Sequence, residues 1–379
     1  MKSQAAVLWG REQDWQILEI DLDPPKDHEV LVRWVAAGLC HSDQHLRTND
    51  IGTPRAPDEG PDPRLFPLVG GHEGAGVVEA VGEGVGDLTL GDHVVTLFSP
   101  QCRECIHCRS PRTNLCLAIR EQQNKGYLPD GSTRLSRAGE PIRHFMGTST
   151  FAEYAVIPEI ALAKVNSEAP LDRACLFACG LSTGLGAAMN TAAVQPGSTC
   201  VVFGAGMVGL GAVAGCRLQG AERTICVDLS GQRLELARGQ GATECWRADE
   251  HTIERVLEAT DGFGADYTFE ATGLVTVMRE AVEAARMGWG LCTVAGVAGK
   301  GETLDVVPRL LITGRRVCGS SFGGVKGRDQ VPELVELYLR GEIDVDSFIS
   351  HRMPLEQVNR AFELMEAQDG IRSVLQLSV

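Results

Sequence analysis

A short apolar strand, a glycine-rich turn and a helix-length run follow one another at Ser198–Gln219, and this succession restricts the fold more tightly than any other stretch. Ser198-Thr-Cys-Val-Val-Phe203 has the unbroken apolar character of a strand buried on both faces. Gly204-Ala-Gly206-Met-Val-Gly209 comes next, Val208–Gln219 has helical length, and Thr224-Ile-Cys-Val-Asp228 begins another strand, completing a βαβ unit. In that setting the glycines let a pyrophosphate approach the backbone and meet the helix N-terminus. Asp228, 19 residues past Gly209, ends the second strand. Its carboxylate can accept from both ribose hydroxyls and would repel a 2′-phosphate, so NAD is preferred over NADP. Alternation continues with Gln232–Gln240 as helix, Ala265–Glu270 as strand, Val275–Arg286 as helix and Leu291–Ala295 as strand, the pattern of a doubly wound parallel sheet in an α/β protein.

The first 165 residues read differently. Short β-type runs such as Glu29–Ala37 and Gly76–Val81 are broken by Gly and Pro, which predicts an antiparallel or barrel-like domain. From about 325 onward helix and strand mix again, so the tail is expected to rejoin that first domain. Two segments read as surface excursions: 49–65, with four prolines, and the polar Glu121–Arg137. A formal charge of −15 with no basic cluster excludes nucleic acid and an anionic membrane as main partners. No run of about 18 apolar residues appears, so the cytoplasm is the expected location.

Thirteen cysteines require an explanation. Cys102, Cys105, Cys108 and Cys116 supply four thiols within fifteen residues, enough to surround one tetrahedral zinc. Such a site has no open position and is structural; His107 inside the lobe is a competing ligand on residue type alone. Cys175, Cys200, Cys216, Cys226, Cys245, Cys292 and Cys318 lie in apolar or helical stretches and read as small buried hydrophobes. A second, open metal site has candidates in Cys40, His72 and Cys179. Spacing does not bring these three together, and a lone cysteine after an apolar strand reads more often as core than as ligand. Asp43 and Glu73, next to them in sequence, could orient His72 or adjust the metal's charge.

The chain resembles the zinc-containing medium-chain alcohol dehydrogenases nearly end to end, and looks closest to the animal-type and glutathione-dependent formaldehyde dehydrogenase branches. The likeness is carried by Leu97–Cys102, His144-Phe-Met-Gly-Thr-Ser-Thr-Phe151, Cys179–Gly184, Gly241–Cys245, Ser321–Gly324 and Gly370–Ser373. It implies a mostly-β GroES-like catalytic domain over 1–180 and 324–379, with a zinc lobe at about 100–118, and a Rossmann NAD-binding domain over 181–323. It also implies two zinc ions per subunit, Cys40, His72 and Cys179 holding the catalytic one. The alcohol then loses its proton and passes hydride to nicotinamide C4. Ser42 matches the hydroxyl that first accepts the alcohol proton, and His45 the base that passes it to solvent. On the cofactor side, with Gly204, Gly206 and Gly209 at the pyrophosphate and Asp228 at the ribose, the resemblance puts His41 and Arg372 at the pyrophosphate and Arg233 near the ribose. Thr183 and Val208 fall where the nicotinamide packs, and Val297 where its amide is recognised. Phe98 and Arg120 fall in the substrate pocket. Homodimers or homotetramers joined through cofactor-domain sheets are implied as well.

These features lead to a reversible dehydrogenase of primary or aromatic alcohols and their aldehydes. Three alternatives stay open. Arg120, Val277-Met-Arg279 and Gly288-Trp-Gly290 resemble the branch that oxidises S-hydroxymethyl thiols, where an arginine grips the adduct's carboxylate. Met1–Gly10 and Gly38–Asp43 resemble nicotinoprotein alcohol dehydrogenases, which keep NAD permanently bound. The remote alternative is a non-catalytic binding module on the same fold. The span between His45 and His72 is about ten residues longer than either branch usually has, so the rim of the substrate cleft is expected to be rebuilt there.

Overall fold

A computed structural model describes residues 1–48, 65–118 and 120–377. The insertion expected to rebuild the substrate rim, at 49–64, lies outside them. The chain divides into two compact units, Met1–Cys179 with Lys326–Val379, and Gly180–Val325.

In the second unit six strands form one parallel sheet. Their order is Glu244–Arg247, Arg223–Asp228, Thr199–Phe203, Tyr267–Glu270, Leu291–Val294, Arg316–Gly319. Cys200, Val201, Ile225, Cys226 and Cys292 are fully buried, as strands covered on both faces require. The chain order reverses direction beside Thr199–Phe203, so the carboxyl ends of the central strands form the crevice where such sheets bind ligands. The two edge strands leave little trace in hydropathy. Glu-Cys-Trp-Arg and Arg-Val-Cys-Gly are half-buried or exposed, because an edge strand is packed on fewer sides than a central one.

The first unit holds a closed barrel of Lys2–Leu8, Gln16–Leu22, Leu135–Arg137, Glu140–His144 and Leu68–Val69, and a seven-stranded sheet. Glu29–Gly38 is the hub of that sheet, pairing with Glu73–Val81, Tyr154–Pro158 and the returning tail strand Arg372–Gln376. Trp15 stacks on Phe362 and meets Phe151 edge-on in the core. The surface expectation for Glu121–Arg137 needs correction. Leu128 and Arg134 are buried there, and Leu135–Arg137 closes the barrel. Arg134 Nε donates to Glu29 Oε2 at 2.8 Å and its Nη2 pairs with Asp130 at 2.7 Å. A buried but fully paired arginine is polar in sequence and internal in structure.

Candidate active site

The four lobe cysteines come together, with all sulfurs within 4.8 Å of one another. The local turn achieves this by aiming backbone N–H groups at sulfur. Cys105 N donates to Cys102 Sγ at 3.3 Å, Cys108 N to Cys105 Sγ at 3.4 Å and Ala118 N to Cys116 Sγ at 3.4 Å. Burial opposes ionisation at Cys105, yet amide donors from Leu117 and Cys108 outweigh it and hold that thiol at about 6. Burial pushes Cys108 up to about 12, a cost that a bound cation would offset. His107 is not part of the cluster; its Nδ1 meets the Leu115 carbonyl at 2.7 Å. Four sulfurs and nothing else fit a closed zinc site. The lobe is anchored from outside by Lys326, whose Nζ donates to the Cys108 and Ser110 carbonyls at 2.7 and 2.9 Å.

Cys40, His72 and Cys179 also meet, joined by Glu73, again within 4.8 Å. The sheet explains how. Glu29–Gly38 and Glu73–Val81 run antiparallel with Gly38 opposite Glu73, so the chain leaves one strand at Cys40 and enters the other from His72 at the same end. Cys179 follows the buried turn Cys175–Ala178 and lies 4.0 Å from the Cys40 sulfur. Asp43, fully buried, ties both loops: it accepts from Cys40 N at 3.2 Å and from Gly71 N at 3.1 Å, and meets His72 Nδ1 at 3.4 Å. Burial opposes a charge on His72, but the Asp43 carboxylate raises its pKa well above the ordinary range. The other ring nitrogen, Nε2, is buried and makes no hydrogen bond among the described residues. Cys40 is held well below the thiol range by Cys179, against burial, with His72 and Arg372 assisting; Cys179 is pushed up in turn by Cys40 and by burial.

Two sulfurs and an imidazole nitrogen that makes no hydrogen bond among the described residues are the donor set an open zinc site needs, so these residues fit the metal. Glu73 faces Arg372 at 3.2 Å, and burial, opposed by that arginine, raises its carboxyl to about 8. Arg372 also donates to the Leu39 carbonyl. Arg372, which the family resemblance puts at the pyrophosphate, is buried with Glu73 and the Leu39 carbonyl as partners, a position the tail strand's register fixes and hydropathy does not reveal.

Ser42 Oγ lies 3.7 Å from the Cys40 sulfur, and His41 and His45 share the helix His41–Thr48 with ring centroids 6.4 Å apart. The Phe98 and Phe145 rings stand edge-on to His72 at 6.0 and 5.7 Å. Phe145 was not among the residues read from sequence, although it lies in the His144–Phe151 motif. Gln123 Nε2 donates to the Phe98 and Met146 carbonyls, tying the short helix that begins at Arg120 to this wall. Arg120 itself is exposed, its Nε donating to the Cys116 carbonyl at 3.0 Å.

In the second unit a Cβ on Gly209 would lie 1.7 Å from the Gly204 carbonyl oxygen, so the helix can pack this close only with glycine there. A Cβ on Gly206 would meet nothing within 4 Å among the described residues, so the backbone of the turn lies open there to a bound group. Asp228 accepts from Ala205 N at 2.7 Å and Ser230 N at 2.8 Å, which fixes its carboxylate beside that turn. Val297 follows the strand Leu291–Val294 and is exposed; Val208 and Arg233 are half-buried and Thr183 is buried. The cradle fits a dinucleotide.

Comparison with known proteins agrees with this chemistry. Residues 26–167 match the alcohol dehydrogenase GroES-like domain and residues 207–340 the zinc-binding dehydrogenase domain. The chain is 48% identical to an alcohol dehydrogenase class-3 of Myxine glutinosa, over 99% of this chain and 97% of that one. It is 47% identical to an S-(hydroxymethyl)glutathione dehydrogenase of Escherichia coli O1:K1, over 99% and 100%. A benzyl alcohol dehydrogenase structure from Acinetobacter calcoaceticus superposes with a TM-score of 0.90 at 29% identity, covering both chains in full. With both donor sets and the nucleotide cradle assembled, the chain belongs to the zinc-containing medium-chain alcohol dehydrogenase family and is an NAD- and zinc-dependent oxidoreductase.

Proposed function

We propose that the protein catalyses reversible hydride transfer between NAD and a primary or aromatic alcohol, with Cys40, His72 and Cys179 as the catalytic metal ligands. The single observation that carries this reading is the Cys40–His72–Cys179 cluster, its histidine buried and its cysteines half-buried, walled by the Phe98 and Phe145 rings, an apolar setting suited to an uncharged alcohol. Zinc bound there would supply a Lewis acid that acidifies a hydroxyl, and NAD would supply the hydride acceptor. Ser42, beside the Cys40 sulfur, accepts the hydroxyl proton, and His45, one turn further along the same helix, passes it to solvent. Asp43 holds the His72 ring so that Nε2 faces the other donors. Gly204, Gly206, Gly209, Asp228, Arg233, Thr183, Val208 and Val297 hold the cofactor in the second unit, and the family resemblance alone makes His41 and Arg372 candidates for its pyrophosphate.

A second reading, oxidation of an S-hydroxymethyl thiol adduct, is favoured by Arg120, whose helix Gln123 ties to the Phe98 wall. There a guanidinium could grip the adduct's carboxylate. A substrate panel separates the two. Turnover of benzyl alcohol or hexanol with NAD alone supports the first; oxidation of formaldehyde only after a low-molecular-weight thiol is added, with both alcohols inert, overturns it in favour of the second. NAD that leaves only on denaturation would mark a nicotinoprotein.

We further propose a homodimer or homotetramer joined at the sheet edge of the second unit. Val317 on the edge strand, with Val307, Leu311 and Ile312 before it, is exposed apolar surface. Light scattering after size exclusion tests this; a monomer excludes it. No helix among the described residues is long and apolar enough to cross a membrane. None of the thirteen cysteines is joined in a disulfide, and a reducing, cytoplasmic setting is the one in which such thiols persist.

A further inference from the structure

The motif His144-Phe-Met-Gly-Thr-Ser-Thr-Phe151 carries the family likeness, yet the chemistry above uses only the Phe145 ring. Its remaining side chains converge on the residues immediately before His72. The strand Leu68–Val69 runs parallel to Glu140–His144, with Val69 opposite His144. Beyond that pair the turn at 145–149 doubles back with Met146, Gly147 and Ser149 all at positive φ, an arrangement that persists only when surrounding contacts over-determine it.

Ser149 supplies those contacts. Its Oγ lies 3.1 Å from the Val69 carbonyl, 3.3 Å from Phe145 N and 3.1 Å from His144 Nδ1. A carbonyl can only accept, so the hydroxyl proton goes to Val69, and the Phe145 amide donates to the oxygen. His144 Nδ1 must then carry a hydrogen and donate as well. The ring's Nε2 is therefore the unprotonated nitrogen, buried and without a hydrogen bond among the described residues. A neutral ring agrees with burial, aided by the Arg134 charge, pushing its pKa down to about 3. Further along, Thr148 Oγ1 lies 3.2 Å from the Gly71 carbonyl and 3.1 Å from the Phe145 carbonyl, so its one proton is shared between them; Thr150 N also donates to the Gly71 carbonyl at 3.1 Å, and Phe151 N to the Gly70 carbonyl at 2.9 Å. The carbonyls of 69, 70 and 71 are all held from this one turn. The next residue is His72, and the Gly71 amide is the one bound by Asp43.

We propose that Ser149, fixed by His144, is a positioning residue of the catalytic metal centre: with Thr148 it clamps the 69–71 segment and so sets how firmly His72 holds the metal. The inference rests on the reading of His72 as a zinc ligand. The clamp acts on one of the two metal sites, so its signature is selective. Loss of zinc to a chelator, followed by metal count per chain, is expected to become about 10–100-fold faster for one zinc in Ser149→Ala, while the other leaves at the wild-type rate. His144→Leu should behave alike, because it removes the donor to Ser149. His144→Asn, whose side-chain nitrogen can occupy the place of Nδ1, should restore near wild-type retention. Thr148→Val, nearly isosteric, provides the same readout should Ser149→Ala not fold. Wild-type retention in Ser149→Ala, or faster release of both zincs in step with a lowered Tm, overturns the proposal. His72→Ala separates the two levels: if that variant still binds two zincs, the ligand assignment itself fails, whatever Ser149 does.

Discussion

The two thiol clusters of the first unit are built from the same element under opposite conditions. The lobe takes four cysteines from Cys102 to Cys116, and its sulfurs are met by backbone N–H groups. The other cluster takes Cys40, His72 and Cys179 from three loops and surrounds them with Asp43, Glu73 and Arg372, all buried. Four thiolates around a divalent cation leave about two negative charges, which amide dipoles can spread, and no coordination position. Two thiolates and a neutral imidazole would leave the charge near zero and one position open, so a hydroxyl that lost a proton there would bring the site to only about one negative charge, less than the closed cluster already carries. The difference teaches that ligand number and surroundings, rather than the presence of metal, separate a staple from a reaction centre.

The comparison can be broken at several strengths. Cys179→Ala removes a proposed ligand from the open cluster. It should lower kcat by about a thousandfold or more, the several kcal/mol that a Lewis acid supplies, with one zinc lost and Tm little changed. Steady-state kinetics with metal analysis checks it. Cys116→Ala opens the closed cluster and should do the reverse. A Tm fall on the order of 10 °C by calorimetry is expected, with kcat per folded chain within about twofold of wild type. Asp43→Asn keeps the shape but weakens the orienting carboxylate; zinc affinity at the open cluster should fall about 10–100-fold in competition with a chelator, leaving the lobe unchanged. The smallest effect belongs to Arg103→Ala. Arg103 joins the lobe to Asp87 and Asp329 at 2.6 and 2.7 Å, but all three side chains are more than 40% exposed. Denaturant unfolding should therefore change by less than about 1 kcal/mol.

The same contrast governs what was legible in the sequence. The clustering of the lobe cysteines could be read because they are local and their spacing is that of a metal knuckle. The Gly204–Gly209 turn could be read because strand, glycines and helix are contiguous, and Asp228 follows at a fixed distance. The trio could not be read from spacing, since the pairing of Gly38 with Glu73 decides it and register is a tertiary property. For the same reason the ion pair of Arg372 with Glu73 was out of reach, as was the clamp of Ser149 on Val69. Arg134 misled because a buried charge with its partners in place looks like surface in a hydropathy profile.

The central claim is that chemistry belongs to the Cys40–His72–Cys179 cluster and structure to the lobe. Cobalt(II) in place of zinc gives each site a visible absorption that reports its coordination. In the fully loaded wild-type protein, adding NAD with benzyl alcohol should shift part of that spectrum, and His72→Ala with the lobe still loaded should give no shift. A substrate-dependent shift that survives in His72→Ala and vanishes in Cys116→Ala would contradict the account.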